Sequence, residues 1–248
     1  MALDTTTLDA PFAALTAYDF GADSSFVKTI DDAVIAAHGD ATLTADLEKR
    51  FLALLGPGTK RAAKEYVCRK LSMIGTPAAV PALAALLGDK DNSHMARFAL
   101  ERIPGPESVA AIRGALGKVQ GDLVIGMLSS LANRRDAESV PLVAPLLAGD
   151  AKVAVAAAAA LGRIATPAAA AALAAAQPAA GPVADAVVDA RLAAADALLA
   201  AGDRTTARGI YEAIAAQVGD AAGTRRQRAV RIAARGGVFA ALDGTVAP

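Results

Sequence analysis

Apolar residues recur along this chain with helical spacing, and the pattern repeats about every 30 residues. From Thr76 onward, Val80, Leu83 and Leu87 fall at i, i+3 and i+7, on one face of a helix. The pattern starts again three times, and the aligned segments are 76–87, 105–116, 136–147 and 166–173. Four helix starts are therefore predicted, which we number as repeats 1 to 4.

Two apolar anchor positions keep their register through these repeats. The first anchor is Val80, Val109, Val140 and Ala170, and the second is Leu83, Ile112, Val143 and Leu173. Successive anchors are 29, 31 and 30 residues apart. We therefore expect the four residues of each set to occupy equivalent positions in the core.

The repeats open with residues that are typical of a helix start. The predicted capping residues are Thr76, Gly105, Asp136 and Thr166, and a proline follows three of them. Pro81 and Pro141 lie one turn further on, where a proline removes a backbone hydrogen bond. Bends are therefore expected there.

Another helix is predicted to end just before each start. The endings occupy 71–74, 100–103, 128–131 and 161–164, and most read Leu-x-x-Ile. The repeating unit is then a helical hairpin, in which Leu100 and Leu128 should be buried at equivalent positions.

Repeats of this form resemble the HEAT-repeat family, especially the short repeats of bacterial proteins related to phycobilin lyases. The resemblance covers residues 44–177 and implies an all-α fold, a right-handed α-solenoid of helical hairpins (an α-α superhelix). It also implies that second helices line a concave surface. Family members are mostly scaffolds, with a minority of enzymes.

The chain departs from the family pattern in places. The usual Val-Arg pair of the second helix is replaced by Asn92-Ser93 in one repeat and Val153-Ala154 in another, so the family's buried Asp/Arg ladder should be largely missing. Ankyrin repeats are the competing interpretation of Gly75-Thr76-Pro77, but Ala78-Ala79 stand where that family has Leu-His.

The two ends of the chain differ from the repeats. Ala195, Gly202, Ala207 and Tyr211 have the spacing of a tetratricopeptide hairpin, which this stretch resembles over about 25 residues. We predict an N-terminal helical cap at 1–43, HEAT-like repeats at 44–177, and a tetratricopeptide-like hairpin with a terminal HEAT-like helix at 183–248. Residues 8–38 should form two helices, with Phe26, Ile30, Val34 and Ala37 on one face.

Composition limits the chemistry that the chain can perform. Alanine accounts for 67 of the 248 residues and tryptophan is absent, which favours closely packed helices. One cysteine and two histidines cannot make an internal disulfide or a Cys/His metal cluster, and we expect no cofactor.

The compartment is predicted from two features. Asp4 and Asp9 stand where a signal peptide has basic residues, and the alanine-rich runs 154–161 and 168–176 are too short to span a bilayer. We expect a cytoplasmic protein that binds no membrane, with a signal peptide already removed as the alternative.

Charge is balanced overall but unevenly placed. Residues 1–48 carry nine acidic side chains and one lysine, whereas the remainder is basic by about eight charges. The favoured interpretation is an acidic cap that packs on a basic body. An acidic tail that competes with an external ligand is the alternative, and no nucleic-acid partner is expected.

An arginine stripe is predicted on the last helix. Arg225, Arg228, Arg231 and Arg235 share one face, with Arg226 nearby, opposite Val230 and Ala234. A solvated face, or pairing with the acidic N-terminal part, is favoured over phosphate binding.

Two residues have a chemical alternative. Cys68 fits a small core position, and as a nucleophile it would need His94 as a base. His94 follows Asp89 and Asp91, which could offer metal ligands, but this pattern is more typical of a helix start.

Mixed charge beside large side chains marks a candidate recognition patch on the second helices of the first two hairpins. The predicted partner-binding residues are Lys64, Glu65, Arg69, His94, Arg97 and Glu101. Tyr66, Met95 and Phe98 lie among them, either as recognition surface or as core between repeats. Reversing the charges of Arg97 and Lys64 should then abolish partner capture without lowering thermal stability.

These observations favour a non-enzymatic scaffold that binds a protein or peptide through the concave surface of the solenoid. The alternative is a HEAT-like lyase or accessory factor that acts on a bound chromophore or cofactor. No catalytic or metal-binding residue is assigned, and the sequence leaves the oligomeric state open.

Overall fold

Helices form throughout the part of the chain that the structure, a computed structural model, describes, which is residues 4–218 and 225–243. Several of these helices are rich in alanine, the best helix former. The all-α prediction is confirmed, and the described residues contain no strand. The α-helices are α1 (Asp9–Ala17), α2 (Val27–Ala36), α3 (Ala41–Ala53), α4 (Arg61–Ile74), α5 (Val80–Ala84), α6 (Ser93–Leu100), α7 (Pro106–Leu116), α8 (Asp122–Asn133), α9 (Val140–Val143), α10 (Ala151–Ile164), α11 (Pro167–Ala175), α12 (Pro182–Ala200), α13 (Arg204–Val218) and α14 (Arg225–Asp243). Short 3₁₀ helices occupy Thr5–Leu8, Pro77–Ala79, Ala137–Ser139 and Ala144–Ala148.

The chain divides into two compact units, Met1–Ser130 and Leu131–Pro248. In the first unit α4 packs against α3 and α6, and α5 packs against α6 and α7. In the second unit α10 packs against α9, α11 and α12, and α12 packs against α13 and α14. Helices thus contact their nearest neighbours in the sequence within each unit.

The predicted anchors occupy the core. All four residues of the second anchor set are fully buried, and so are Leu100 and Leu128, as predicted. In the first set Val80, Val140 and Ala170 are buried, whereas Val109 is half-buried. The register of the repeats is therefore confirmed at these positions.

A further core position, just before the first anchor, escaped the sequence pattern because its residues are small. It is held by Ala79, Ser108, Ser139 and Ala169, all fully buried. The Ser108 hydroxyl donates to the Ile103 carbonyl at 2.9 Å, and the Ser139 hydroxyl donates to the Asp136 carbonyl at 2.7 Å. Each buried hydroxyl is thus satisfied by the chain that leads into its helix.

The internal prolines decide how each repeat begins. Repeats 1 and 3, with Pro81 and Pro141, open with a 3₁₀ turn, and the α-helix starts one residue before the proline. Repeats 2 and 4 have Ala110 and Ala171 at that position, and α7 and α11 run without interruption. The expected bends therefore take the form of a change in helix type, which spares the backbone a clash with the proline ring.

The predicted caps are only partly realised. The Thr76 hydroxyl accepts from the Ala78 N–H, and the Thr166 hydroxyl accepts from the Ala169 N–H. Asp136 makes no side-chain cap hydrogen bond. Gly105 has no side chain that could cap the helix, and its φ of 96° is a backbone conformation that favours glycine.

The N-terminal part forms the two predicted helices, α1 and α2. Ile30, Val34 and Ala37 are buried on one face, and Phe26, just before α2, is half-buried. Acidic residues of this part pair with the next helices of the same unit. Asp9 bonds to Arg50, and Asp31 to Lys70. These pairs favour the interpretation of an acidic cap on a more basic body.

The C-terminal part contains a hairpin of α12 and α13, joined at Gly202, whose φ is 91°. Ala195, Ala207 and Tyr211 share one core cluster there, and the Tyr211 hydroxyl donates to the Asp196 carboxylate. A Cβ at Gly237 of α14 would overlap the Tyr211 ring. The small residues at these positions thus leave room for the Tyr211 ring to be buried between the helices.

The arginine stripe is described only in part. Val230 and Ala234 are buried together with Ile214, on the face predicted for them. The side chains of Arg225, Arg226 and Arg228 lie outside the described residues. Over the described ranges, none of the helices has both the length and the apolar character needed to cross a bilayer.

Candidate functional site

Helices α4 and α6 pack against each other within the first unit and carry the predicted partner-binding residues. On α4, Ala63, Val67 and Leu71 recur at helical spacing and are fully buried, which turns the charged positions outward. The predicted residues are Lys64, Glu65 and Arg69 on α4, His94 and Arg97 on α6, and Glu101 just after α6. Arg69 and His94 are exposed, and the other four are partly buried.

Glu65 and Arg69 form an ion pair one turn apart on α4. Both residues line a small cleft of about 190 Å³, together with Tyr18, Phe20 and Tyr66. Phe20 is 60% exposed, so this cleft offers apolar surface beside the ion pair.

Tyr66 connects α4 to α2 through a hydrogen bond. Its hydroxyl donates to Asp31 Oδ1 at 2.6 Å, and the Lys70 ammonium lies 2.6 Å from the same oxygen. Burial, followed by the hydrogen bond to Asp31, raises the pKa of Tyr66. The guanidinium of Arg102, just after α6, lies 3.7 Å from the centre of the Phe98 ring on α6. Tyr66 and Phe98 therefore have intramolecular partners, in line with the interpretation of these residues as packing.

The turn before α6 is organised by Asp89. Its carboxylate accepts from the Asn92 side-chain amide at 2.7 Å and from the Asp91 N–H at 2.9 Å. These hydrogen bonds lower the pKa of Asp89, the bond from Asn92 most strongly. The helix-start interpretation of this stretch is confirmed, since α6 begins at Ser93. The described residues contain no group of three or more His, Cys, Asp or Glu side chains that could hold a metal ion.

A larger cleft, of about 730 Å³, lies at the starts of α6 and α8, and we call it the α6–α8 cleft. It belongs entirely to the first unit. Its lining residues are Lys90, Ser93, His94, Arg97, Gln120, Gly121, Asp122 and Leu123. The predicted residues are thus divided: Glu65 and Arg69 line the small cleft, and His94 and Arg97 line the larger one.

Arg97 is held firmly against α8. Its Nη1 donates to the Gly126 carbonyl and to the Ser130 hydroxyl, both at 3.0 Å. The Ser130 hydroxyl in turn donates to Glu101 Oε1 at 2.5 Å. A Cβ at Gly126 would come within 2.7 Å of the Arg97 guanidinium, so only glycine leaves room for this arrangement.

Two donors at the α6–α8 cleft are buried without a hydrogen-bond partner, the Ser93 hydroxyl and the Arg97 Nε–H. Ser93 is 1% exposed. Burial lowers the pKa of Arg97, and the nearby Glu101 carboxylate opposes that shift. Buried donors without partners are uncommon in folded proteins and call for an explanation.

Cys68 has the environment of a core residue. It is 1% exposed, and burial raises the pKa of its thiol to about 12. The thiolate needed for nucleophilic attack is therefore scarce at neutral pH. His94 is exposed, and its Nδ1 lies 3.5 Å from Arg97 Nη2.

Only two of the eight residues that line the α6–α8 cleft, His94 and Arg97, were predicted from the sequence. Lys90, Gln120 and Asp122 come from loops and a helix start that carry no periodic pattern. The one signal that could have located the close approach is Gly126, a glycine inside an otherwise apolar helix.

No protein-family model matches the chain, and no curated protein matches it in sequence.

Proposed function

We propose that this chain is a right-handed α-solenoid of HEAT-like hairpins, extended by a tetratricopeptide-like hairpin, and that it binds a protein or peptide without catalysing a reaction. The packing of helices on their sequence neighbours within each unit supports the solenoid. Seven of the eight anchor residues are buried, which supports hairpins that are equivalent to one another.

The observation that carries the binding proposal is the polar surface of α4 and α6. It combines the Glu65–Arg69 pair, the exposed His94 and two clefts, one of them beside the exposed Phe20 ring. Charged side chains that border apolar surface and concave space are typical of recognition sites. A peptide that lies across both helices can use each of these features.

The lyase alternative has weaker support. A lyase that used a cysteine nucleophile of its own would have only Cys68, and that thiol is buried. A purified chain that carries a coloured or small-molecule ligand would favour this alternative over the scaffold.

The double charge reversal at Arg97 and Lys64, which the sequence suggested as a test of partner binding, must be replaced by a different variant. Reversing the charge of Arg97 would remove its hydrogen bonds to Gly126 and Ser130 and would leave Glu101 and a glutamate close together. Stability would then fall, contrary to the expectation from the sequence, and lost binding could not be interpreted. Arg69 and His94 are exposed and are better targets.

The experiment is affinity capture from an extract of the native organism, read by mass spectrometry. We expect a protein that the unmodified chain enriches and that the Arg69→Glu/His94→Glu double variant loses. Thermal stability should fall by no more than about 1 kcal/mol, because Arg69→Glu breaks the Glu65–Arg69 ion pair and places two glutamates one turn apart on an exposed helix face. The control is Lys152→Glu, an exposed charge reversal on α10, which should capture normally. Equal capture by the double variant would contradict the proposal.

A further inference from the structure

The α6–α8 cleft contains the two buried donors that lack partners, and they belong to one helix face. Ser93 and Arg97 are four residues apart on α6, which places their side chains next to each other along the helix. Both residues line the cleft. Both atoms are enclosed by the protein, so a bound group with two acceptor atoms reaches them when the Ser93 and Arg97 side chains turn toward the cleft.

Each unsatisfied atom specifies part of the ligand. The Arg97 Nε–H can only donate, and a hydroxyl such as that of Ser93 can also donate. A buried donor that is left unpaired costs about 1–3 kcal/mol, more when the group is charged. An acceptor from a ligand would remove that cost, and charged acceptors make the strongest bonds.

The electrostatic setting favours an anion. The starts of α6 and α8 both face the cleft, through Ser93 and Asp122, and helix N-termini attract negative charge. Lys90 is exposed at the same cleft and adds a mobile positive charge. The start of α8 and the Lys90 side chain are independent of the two unsatisfied donors.

The charged side chains of the cleft limit how much negative charge a bound anion can carry. Lys90 and Arg97 contribute two positive charges to the lining, and Asp122 contributes one negative charge. Glu101 lies behind Arg97 and offsets its charge further. Within the lining itself, Lys90 and Arg97 against Asp122 leave one positive charge, which a singly charged carboxylate neutralises, whereas a dianionic phosphate would leave an excess negative charge beside Asp122 and Glu101. Asp122 can in addition accept an N–H from a peptide ligand.

We propose that the α6–α8 cleft binds a carboxylate group of a peptide, with Ser93 and Arg97 donating to its oxygens and Lys90 supplying further positive charge. This inference rests on the proposed function, since the carboxylate would belong to the bound protein or peptide. It adds the chemistry by which the site selects its ligand.

The test is an NMR titration of the full-length, ¹⁵N-labelled chain at pH 7 and constant ionic strength, which keeps screening equal among anions. The probes are acetate, inorganic phosphate, and two short peptides that differ in the source of the carboxylate. Acetyl-Gly-Glu-Gly-amide offers a side-chain carboxylate, and acetyl-Gly-Gly-Gly offers a C-terminal one. Acetyl-Gly-Gln-Gly-amide is the uncharged control.

We expect acetate and at least one carboxylate peptide to shift the amide signals of residues 90–97 and 120–124, whereas the glutamine peptide does not. The stronger of the two peptides identifies the source of the carboxylate. Phosphate should bind no more tightly than acetate.

Two variants test the assigned donors. Ser93→Ala and Lys90→Gln should each weaken carboxylate binding by about fivefold or more. Ser93→Ala should not lower thermal stability, because the hydroxyl that it removes has no partner. If Ser93 had only a structural role, its replacement by alanine would not weaken carboxylate binding while leaving thermal stability unchanged. Lys60→Gln, an exposed change outside the cleft, is the control and should bind normally.

Three results would overturn the inference: no shift in these segments with any carboxylate probe, unchanged binding by Ser93→Ala, or phosphate binding tenfold tighter than every carboxylate. The first would leave water as the partner of the two donors. If carboxylates bind but the capture experiment finds no partner, only the proposed function fails. If a partner is captured but Ser93→Ala and Lys90→Gln bind it normally, only the carboxylate inference fails.

Discussion

The Thr76 hydroxyl makes hydrogen bonds both within its own repeat and to the neighbouring helix α3. It caps the start of repeat 1 by accepting from the Ala78 N–H, and it donates to the carboxylate of Glu48 on α3, which is 6% exposed. The Thr76 N–H also donates to Glu48 Oε1, at 2.7 Å. The buried carboxylate therefore depends on Thr76 for its hydrogen bonds.

Replacing Thr76 with valine should destabilise the chain by about 2–3 kcal/mol, since it removes the cap and one donor to a buried charge. Urea unfolding measures the change. The matched control is Thr166→Val in repeat 4, where the hydroxyl caps its helix through Ala169, and the expected cost is about 1 kcal/mol. Equal losses at the two positions would show that the contact with Glu48 contributes nothing.

The buried thiol of Cys68 predicts a reactivity that depends strongly on pH. With a pKa of about 12, roughly one thiol in ten thousand is ionised at pH 8, against about a quarter for an ordinary cysteine. Alkylation by iodoacetamide should be at least about 100-fold slower in the native chain than in guanidinium. Since the pKa lies above the range tested, the native rate should rise about tenfold per pH unit from pH 7 to 9. A plateau near pH 8.5 would contradict the assignment.

Single residues were predictable where the local pattern decides their role. Thr76 and Thr166 were identified as caps because capping depends on a few neighbouring residues. Glu48 was not identified as a buried acceptor, because its partner lies 28 residues away and nothing in the intervening chain indicates the contact.

Helix α10 meets α12 at a point where both helices carry only small residues. A Cβ at Gly162 would come within 2.8 Å of the Ala190 carbonyl oxygen and 2.9 Å of its Cα. These are backbone atoms, so the helices would have to move apart. The abundance of alanine in this part of the chain thus permits close helix packing.

Gly162→Ala should therefore destabilise the chain by about 1–3 kcal/mol through overpacking, although alanine is the better helix former. Gly209→Ala is the matched control, a glycine inside α13 with open space around its Cα, and it should stabilise by about 0.5–1 kcal/mol. Thermal unfolding distinguishes the two. Stabilisation by both changes would contradict the close approach of α10 and α12.

At the scale of helices, the sequence predicts more than it does for side chains. The four repeat starts, the second anchor set and the pair α1–α2 all follow from periodicity, which reports burial on one face. The change from 3₁₀ to α at Pro81 and Pro141 required the structure, since a proline pattern alone indicates only an interruption.

Across the whole molecule, the α6–α8 cleft shows where prediction from sequence stops. His94 and Arg97 were predicted because they stand on a periodic helix. Lys90 and Asp122 were not, because a loop and the start of another helix place them, and exposed positions have no hydrophobic register. The predicted patch therefore includes the α6 residues that line this cleft and omits those that come from the loop and from α8.

Binding of a peptide across α4 and α6 is the central claim, and hydrogen–deuterium exchange of the captured complex tests it most directly. Exchange should slow in peptides that cover 61–74, 88–97 and 118–124 when the partner is bound, since it would cover these helices and loops. The rest of the chain should exchange as in the free protein. Unchanged exchange in those three segments, with protection confined to α12, α13 or α14, would contradict the claim.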